Sequence, residues 1–212
     1  MRQVKRSYDA SGRRAQARAR RLAVITAARD LFYRDGFRPT TIEAIAARAG
    51  VSAKSVYLGF GSKAALAKAV FDIEIAGDDE PVPIAGRGAA QAVRDEPDVR
   101  HKIAIFVDGL VQRQARSARV QILIRDGRHV DDALDPVWRA LHDEGLAGMA
   151  LLGGHLLATG MLRPGLDLDE VRDVLWNYLA IDHYERLVLA RGWSPERYAM
   201  WLTAAITAAL CP

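Results

Sequence analysis

Two short helical patterns joined by a glycine constrain the fold of this chain more than any other feature. Residues 42–49 carry isoleucine and alanine at helical spacing, and Gly50 and Ser52 follow at once. A glycine can adopt the positive φ that a tight reversal needs, and a serine is a good N-cap for the next helix. Residues 42–60 therefore predict a helix-turn-helix.

The boundaries of this motif carry their own signals. Thr40 and Glu43 have the spacing of a capping box, which predicts the start of its first helix. Upstream, apolar residues recur at three- and four-residue intervals from Leu22, and Gly36 fits the end of that helix. Downstream, Ser62 is placed to cap a fourth helix.

The rest of the chain is also helical in pattern. Alternation typical of strands never persists for five residues, so the sequence predicts an all-α protein. Helices are expected over 98–127, 135–159, 169–191 and 194–210. We expect four segments: a basic flexible arm at 1–17, a helix-turn-helix domain at 18–75, a linker with a short helix at 76–97, and a helical C-terminal domain at 98–212.

Charge is divided unevenly along the chain. Residues 1–63 hold 14 lysines and arginines against 4 acids, a balance of +10, whereas residues 64–212 have a balance of −6. The N-terminal excess predicts a polyanionic partner, with nucleic acid first and an anionic membrane surface second. Because the positive charge coincides with a helix-turn-helix and not with an amphipathic anchor, double-stranded DNA is favoured.

Two further features bear on the compartment. The single cysteine, Cys211, excludes an internal disulfide framework and suits a reducing cytoplasm. Residues 145–162 carry no formal charge, but they include His155 and five glycines, so a buried helix is favoured over a membrane span. The N-terminus has no apolar stretch typical of a signal peptide. A cytoplasmic protein with no membrane partner is expected.

The second helix of the motif carries the candidate DNA contacts. Small residues at its leading end allow close approach to a groove, while Lys54 and Ser55 can bond base edges or phosphates. Tyr57 offers a hydroxyl for a phosphate, and Lys63 adds a cation at the start of the next helix.

Many positions over residues 18–70 also match a known family. They are Ala27-Ala28-Arg29-Asp30-Leu31-Phe32, Gly36-Phe37, Thr40-Thr41, Ile45-Ala46, Ala49-Gly50-Val51-Ser52, Val56-Tyr57, Phe60 and Ser62-Lys63. With these residues the sequence resembles the DNA-binding domain of the tetracycline-repressor (TetR) family, and it departs from that pattern at Leu58-Gly59. The resemblance implies a homodimeric, ligand-responsive repressor with an all-α C-terminal domain.

Carried over by position, the resemblance assigns two sets of DNA contacts. Phosphates would be held by Thr41, Tyr57 and Lys63, while the major groove would be faced by Ser52, Ala53, Lys54 and Ser55. The arginines before the first helix, including Arg14 and Arg18, have two interpretations: a solvated tail, or an arm that follows phosphates or enters the minor groove.

The last helix carries a wide apolar stripe. The resemblance implies that helices 169–191 and 194–210 pair with those of a second copy, and the stripe is broad enough for that. The alternative is that it covers only the core of one chain. The expected interface residues are Tyr198, Trp201, Leu202, Ala205 and Ile206.

Polar or aromatic residues on otherwise apolar helices are candidates for a small-molecule pocket. They are Phe106, Arg113, Trp138, His142, Met149, His155, Trp176 and His183. Histidines at metal-binding spacing and the common catalytic motifs are absent from the sequence, so we expect no enzyme, metal site or cofactor.

These expectations combine into one hypothesis with named alternatives. We expect a DNA-binding transcriptional regulator, specifically a repressor released from a pseudo-palindromic operator by a small apolar effector. One alternative is a constitutive DNA-binding dimer whose C-terminal domain only dimerises. Another is an architectural protein that binds random DNA nearly as well as any operator.

Overall fold

The computed structural model describes residues 10–80 and 82–212, and within them every regular element is helical. The prediction of an all-α protein is therefore confirmed. The chain divides into two compact units, Met1–Val70 and Phe71–Pro212. The boundary falls inside the fourth helix, earlier than residue 75, where the sequence placed the end of the first domain.

The first unit is a small helical domain with a core of its own. Phe32, Ile45 and Val56 come from three different helices and are almost fully buried. Burying a large apolar side chain stabilises a fold by roughly 1.5–3 kcal/mol, so such residues hold the short helices in place. The helices are α1 (Ala10–Asp35), α2 (Ile42–Ala49), α3 (Ala53–Phe60) and the beginning of α4 (Lys63–Ala76).

Helix α1 begins inside the segment that was expected to be a flexible arm. Residues 10–17 form its first turns, so the last part of the expected arm is helical. The segment is rich in alanine and arginine, which are among the strongest helix formers, and the helix therefore extends well beyond the apolar stripe that begins at Leu22. Residues 1–9 of the expected arm lie outside the described residues.

The connection between α1 and α2 is held by two threonines with different roles. Thr40 is buried, and its hydroxyl donates to the carbonyl of Gly36 at 2.7 Å. Thr41 is the N-cap of α2, and its Oγ1 accepts from the N–H of Ala44 at 3.1 Å. The predicted capping box of Thr40 and Glu43 is therefore wrong by one residue, because the Thr40 hydroxyl already has a buried partner.

The turn between α2 and α3 follows the sequence prediction. Gly50 has φ +68°, and the N–H of Val51 donates to the carbonyl of Ala46 at 3.0 Å. Ser52 then caps α3, because its Oγ accepts from the N–H of Ser55 at 3.1 Å. The helix-turn-helix is confirmed down to its turn residues.

The start of α4 is tied to the segment that follows α1. The Nζ of Lys63 donates to the carbonyl of Phe37 at 2.9 Å and lies 4.2 Å from the centre of the Phe37 ring. Ser62 caps α4 as expected, since its Oγ accepts from the N–H of Ala65 at 3.0 Å. These bonds hold the start of α4 against the segment that follows α1.

The second unit is organised around α6, which packs against α5, α7, α9 and α10. Its core includes Tyr198, Leu202 and Ile206 of the last helix, all fully buried. The expected linker at 76–97 contains a 3₁₀ turn and α5. The helices are α5 (Gly88–Asp95), α6 (Val99–Gly127), α7 (Asp135–Leu157), α8 (Leu168–Leu179), α9 (Ile181–Tyr184) and α10 (Pro195–Leu210).

The helix expected over 169–191 is interrupted, so that prediction is wrong in its continuity. Helix α8 ends before Ala180, whose ψ of 131° is not helical, and α9 is followed by a π-helical segment, Glu185–Ala190. At the break, the Nε2 of Gln114 donates to the carbonyl of Leu179 at 3.2 Å. A side chain from another helix thus satisfies a carbonyl that the break leaves without its helical partner.

The uncharged stretch 145–162 forms the second half of α7 and the turn after it. It has an inner and an outer side: Met149 is buried, whereas Leu151 is 61% exposed. None of the helices in the described part of the chain combines the length and hydropathy that a bilayer crossing requires.

Two glycines of the motif allow a matched test of the turn. Gly50→Ala should lower the free energy of unfolding by about 1–2 kcal/mol, because an L-residue is strained at this positive φ. Gly59→Ala, in the interior of α3 with no atom within 4 Å of the added Cβ, should instead raise it by roughly 0.5–1 kcal/mol. Urea unfolding of the two variants measures both. Equal shifts of the same sign would contradict the assigned turn.

Candidate nucleic-acid interface

One face of α3 points away from the core of the first unit. Val56 is almost fully buried, while Lys54 and Ser55 are exposed and Ala53 is half-buried. Because a helix turns 100° per residue, Lys54 lies nearly opposite Val56. The structure therefore brings the residues expected to face a groove onto one exposed surface.

The two serines of this face are already partly engaged. The hydroxyls of Ser52 and Ser55 lie 2.8 Å apart in a mutual hydrogen bond, and Ser52 also caps α3. Each hydroxyl keeps some capacity for a further bond. Lys54, exposed one position before Ser55, is therefore the most available polar side chain at the leading end of α3.

Two larger side chains continue the exposed face. Tyr57 is 50% exposed and Leu58 is 80% exposed. Leu58 was not among the expected contacts, although its position one turn after Lys54 and 200° from Val56 was a signal in the sequence. An apolar side chain this exposed on a short helix is available for an apolar contact with another molecule.

The two remaining phosphate candidates differ in exposure and in the hydrogen bonds that they already make. Thr41 is exposed at the N-terminus of α2, where a helix favours an anion, although its oxygen already accepts a bond as the cap. Lys63 is half-buried, and its ammonium group donates to the carbonyls of Phe37 and Arg38. Lys63 therefore stabilises the first unit itself. To bind a phosphate, its ammonium group would have to do so in addition to donating to these carbonyls.

The arginines of α1 extend the basic character of the unit. Arg14 and Arg18 are exposed on the first turns of the helix. Arg21 lies over the ring of Phe60, 4.6 Å from its centre, and so connects α1 to the end of α3. A cation above an aromatic face is a stabilising contact that keeps its charge near the surface.

Two acidic groups of the first unit are paired with neighbouring arginines. Asp30 on α1 accepts hydrogen bonds from Arg48 of α2 at 2.8 Å and from Arg29 at 2.9 Å, which hold the pKa of its carboxyl below the usual value. Asp35 is paired in the same way with Arg34. These pairs offset the charge of the two carboxylates. Within α3 itself, the charged residue is Lys54.

The candidate pocket residues of the second unit do not converge on one place. Three are in contact: the ring centres of Trp138 and His142 are 4.1 Å apart, and those of His142 and Trp176 are 5.7 Å apart. His183 belongs to a different aromatic group, 5.9 Å from the centre of the Trp201 ring. The sequence could not separate these groups, because they depend on how helices distant along the chain pack together.

The other four pocket candidates belong to neither of these aromatic groups. Phe106 and Met149 are buried in the core, and Arg113 is half-buried on α6. His155 is exposed on α7. In the part of the chain that the structure describes, no group of histidine, cysteine and acidic side chains is arranged to hold a metal ion.

The structure corrects the expected dimer contacts. Tyr198, Leu202 and Ile206 have no accessible surface within a single chain, so they cannot contact a second one. Trp201 and Ala205 are half-buried. The stripe is broad because α10 packs on both α6 and α8, and helical spacing alone does not distinguish a monomer core from an interface.

Comparisons with known proteins agree with this geometry. Residues 24–70 match the family model for bacterial regulatory proteins of the tetR family. That range contains all of α2 and α3 and most of the predicted DNA contacts. No curated protein matches the sequence significantly.

Solved structures resemble the chain over nearly its whole length. A protein of Syntrophomonas wolfei described as a TetR-family transcriptional regulator has 15% identity and a TM-score of 0.73, covering 92% of this chain and 96% of its own. A TetR transcription regulator from Haloarcula marismortui has 14% identity and a TM-score of 0.63, covering 92% and 99%.

A third similar structure is the transcriptional regulator FadR from Bacillus subtilis in complex with stearoyl-CoA. It has 15% identity and a TM-score of 0.67, covering 89% of this chain and 97% of its own. At these identities the likeness establishes the fold. Residues 24–70 thus match the tetR family of bacterial regulatory proteins, and the chain as a whole has the fold of solved structures described as TetR-family transcriptional regulators.

Proposed function

We propose that this protein is a cytoplasmic, homodimeric repressor that binds a pseudo-palindromic operator and is released from it by a small-molecule effector. The observation that carries the proposal is the exposed face of α3, with Lys54 at its leading end, in a segment with a balance of +10. A recognition helix of this kind reads base edges in the major groove, while flanking residues bind phosphates.

Roles on the DNA follow from the contacts within the first unit. Lys54 and the serines beside it would contact base edges, while Tyr57 and Thr41 would bind phosphates, with Arg14 and Arg18 adding charge along the backbone. Leu58 suits a thymine, because the C5-methyl group of that base is the apolar feature of the major groove.

Dimerisation is proposed through the exposed side of α10 rather than through its buried stripe. Met200 is 68% exposed there, and Ala204 and Ala208 are exposed beside it. A groove of about 950 Å³ runs between this side and α6. Small residues let a second helix approach closely, so we propose that the α10 helices of two copies pack together here.

The effector is proposed to bind in the second unit. The FadR structure of the same fold contains stearoyl-CoA, and the half-buried rings of Trp138 and His142 offer apolar contacts. Release of DNA requires the effector to prefer the conformation that binds DNA less well. A constitutive DNA-binding dimer would instead show DNA affinity that no metabolite changes.

Lys54 and Tyr57 provide a paired test of DNA recognition. Lys54→Ala should relax preference at specific base positions by roughly 1–3 kcal/mol, the value of a good bidentate contact. Tyr57→Phe should weaken binding by about 1 kcal/mol on all sequences, since it removes one phosphate hydrogen bond. Affinities on operator variants separate the two patterns. A change of base preference in Tyr57→Phe, or none in Lys54→Ala, would refute these roles.

Leu58 can be tested by removing single methyl groups from the DNA. Replacing the contacted thymine by uracil should weaken binding about fourfold, equivalent to ~0.8 kcal/mol for one buried methyl group. Leu58→Ala should bind both DNAs alike. The assignment fails if the variant keeps the full methyl effect at every thymine of the operator.

Ala204→Arg tests the proposed dimer contact. A bulky charge at the centre of a close helix contact should shift the protein from two chains to one, because it cannot be accommodated without desolvation. Light scattering after size-exclusion chromatography measures the change. Ala147→Arg, at an exposed position on α7, is the matched control and should remain dimeric. If Ala204→Arg is dimeric too, the interface lies elsewhere.

A further inference from the structure

Arg113 is an arginine of the second unit whose charge has no negative partner among the described residues. It is half-buried on α6, and in the described part of the chain its guanidinium group makes neither a hydrogen bond nor an ion pair. Burial, together with the positive charge of Arg116, lowers the pKa of Arg113 to about 10. A cation removed from water without a partner is costly, and native structures rarely keep one without a reason.

Two other shielded arginines of the same unit have carboxylate partners. Arg125 contacts Glu185 at 2.7 Å and Asp182 at 3.1 Å. Arg87 contacts Asp78 at 2.6 Å. Arg113 differs from these two arginines because its guanidinium group is unpaired. This difference indicates that its negative partner is not a side chain of the described residues.

The backbone beside Arg113 gives its guanidinium room. Gly109 lies one turn earlier on α6, and a Cβ at that glycine would be 2.9 Å from one terminal nitrogen of Arg113. Any larger residue at position 109 would push the side chain from its present place. The glycine thus allows the guanidinium to fold back along the helix.

Arg116 stands one turn further along the same face of α6, as residues three apart do. Its Nε donates to the carbonyl of Glu74 at 2.9 Å, and a terminal nitrogen donates to the carbonyl of Ile75 at 3.2 Å. These carbonyls belong to the last turn of α4, where a helix leaves acceptors without partners. Arg116 therefore caps the C-terminal end of α4.

We propose that Arg113 and Arg116 together bind a carboxylate or phosphate group of the effector, and that binding draws Arg116 away from the carbonyls of α4. The planar fork of a guanidinium group matches both anions, and two such forks can share one. The anion would pair the charge of Arg113 and compete with two neutral carbonyls for Arg116.

The consequence falls on α4, the helix that contains the boundary between the two units. Losing the cap at its last turn would weaken that end of the helix. This regulatory role rests on the proposed function, whereas binding of the anion does not, since it can be measured without DNA.

The test measures thermal unfolding of the full chain with inorganic phosphate and, separately, with butyrate, each against sodium chloride at equal ionic strength. Wild type should gain roughly 5 °C when one of these anions is far above its Kd. Which anion acts tells whether the head group is a phosphate or a carboxylate. Arg113→Met should lose this gain, while Arg119→Met, at an exposed position of the same helix, should keep it.

Two further readouts keep the proposal open to refutation. Without any anion, Arg113→Met should unfold at a higher temperature than wild type, because an unpaired charge has been removed while the apolar stem is kept. The Nε–H resonance of Arg116 should shift with the anion in wild type and not in Arg113→Met.

A lower unfolding temperature for Arg113→Met, or an equal anion response in that variant, would overturn the site. An anion that binds Arg113 but leaves affinity for operator DNA unchanged would overturn its regulatory role and leave DNA binding itself intact.

Discussion

The reversal at Gly50 is the constraint on which the exposed face of α3 depends. Its left-handed conformation directs α3 away from α2, and the burial of Val56 then fixes how α3 is rotated about its own axis. With that rotation set, Lys54 and Leu58 must face solvent. The surface that we propose for DNA recognition is therefore set by one backbone angle and one buried valine side chain.

The second unit uses a different principle, a central helix that is shared by several neighbours. Helix α6 supplies apolar contacts along most of its length, a hydrogen bond to the break between α8 and α9 through Gln114, and a cap on α4 through Arg116. Polar side chains on such a helix connect elements that are far apart in sequence. A ligand that changes one of these bonds can therefore act at a distance from its own contacts.

Local chemistry explains why much of the fold was predictable from the sequence. The turn at Gly50 and the caps at Ser52 and Ser62 each depend on residues within four positions, and the structure has them as expected. The cap at α2 was misplaced because the choice between Thr40 and Thr41 depends on a buried carbonyl of the preceding segment. The break at Ala180 coincides with a bond from a helix distant in sequence, for which the local pattern carries no signal.

Contacts between helices that are distant in sequence also explain the errors at the candidate sites. The exposed face of α3 could be derived from helical spacing, because one short helix has one buried side. Helix α10 packs on two neighbours, so its apolar stripe did not distinguish core from interface. The unpaired state of Arg113 was likewise invisible, since it depends on which carboxylates the fold brings near it.

The most direct test of the proposed function is a footprint of the full chain on DNA fragments selected from genomic sequence for binding. We expect a pseudo-palindrome with two protected half-sites about one helical turn apart, bound at least ~10³-fold more tightly than random duplex. Equal affinity for random DNA, or protection without two-fold symmetry, would contradict it.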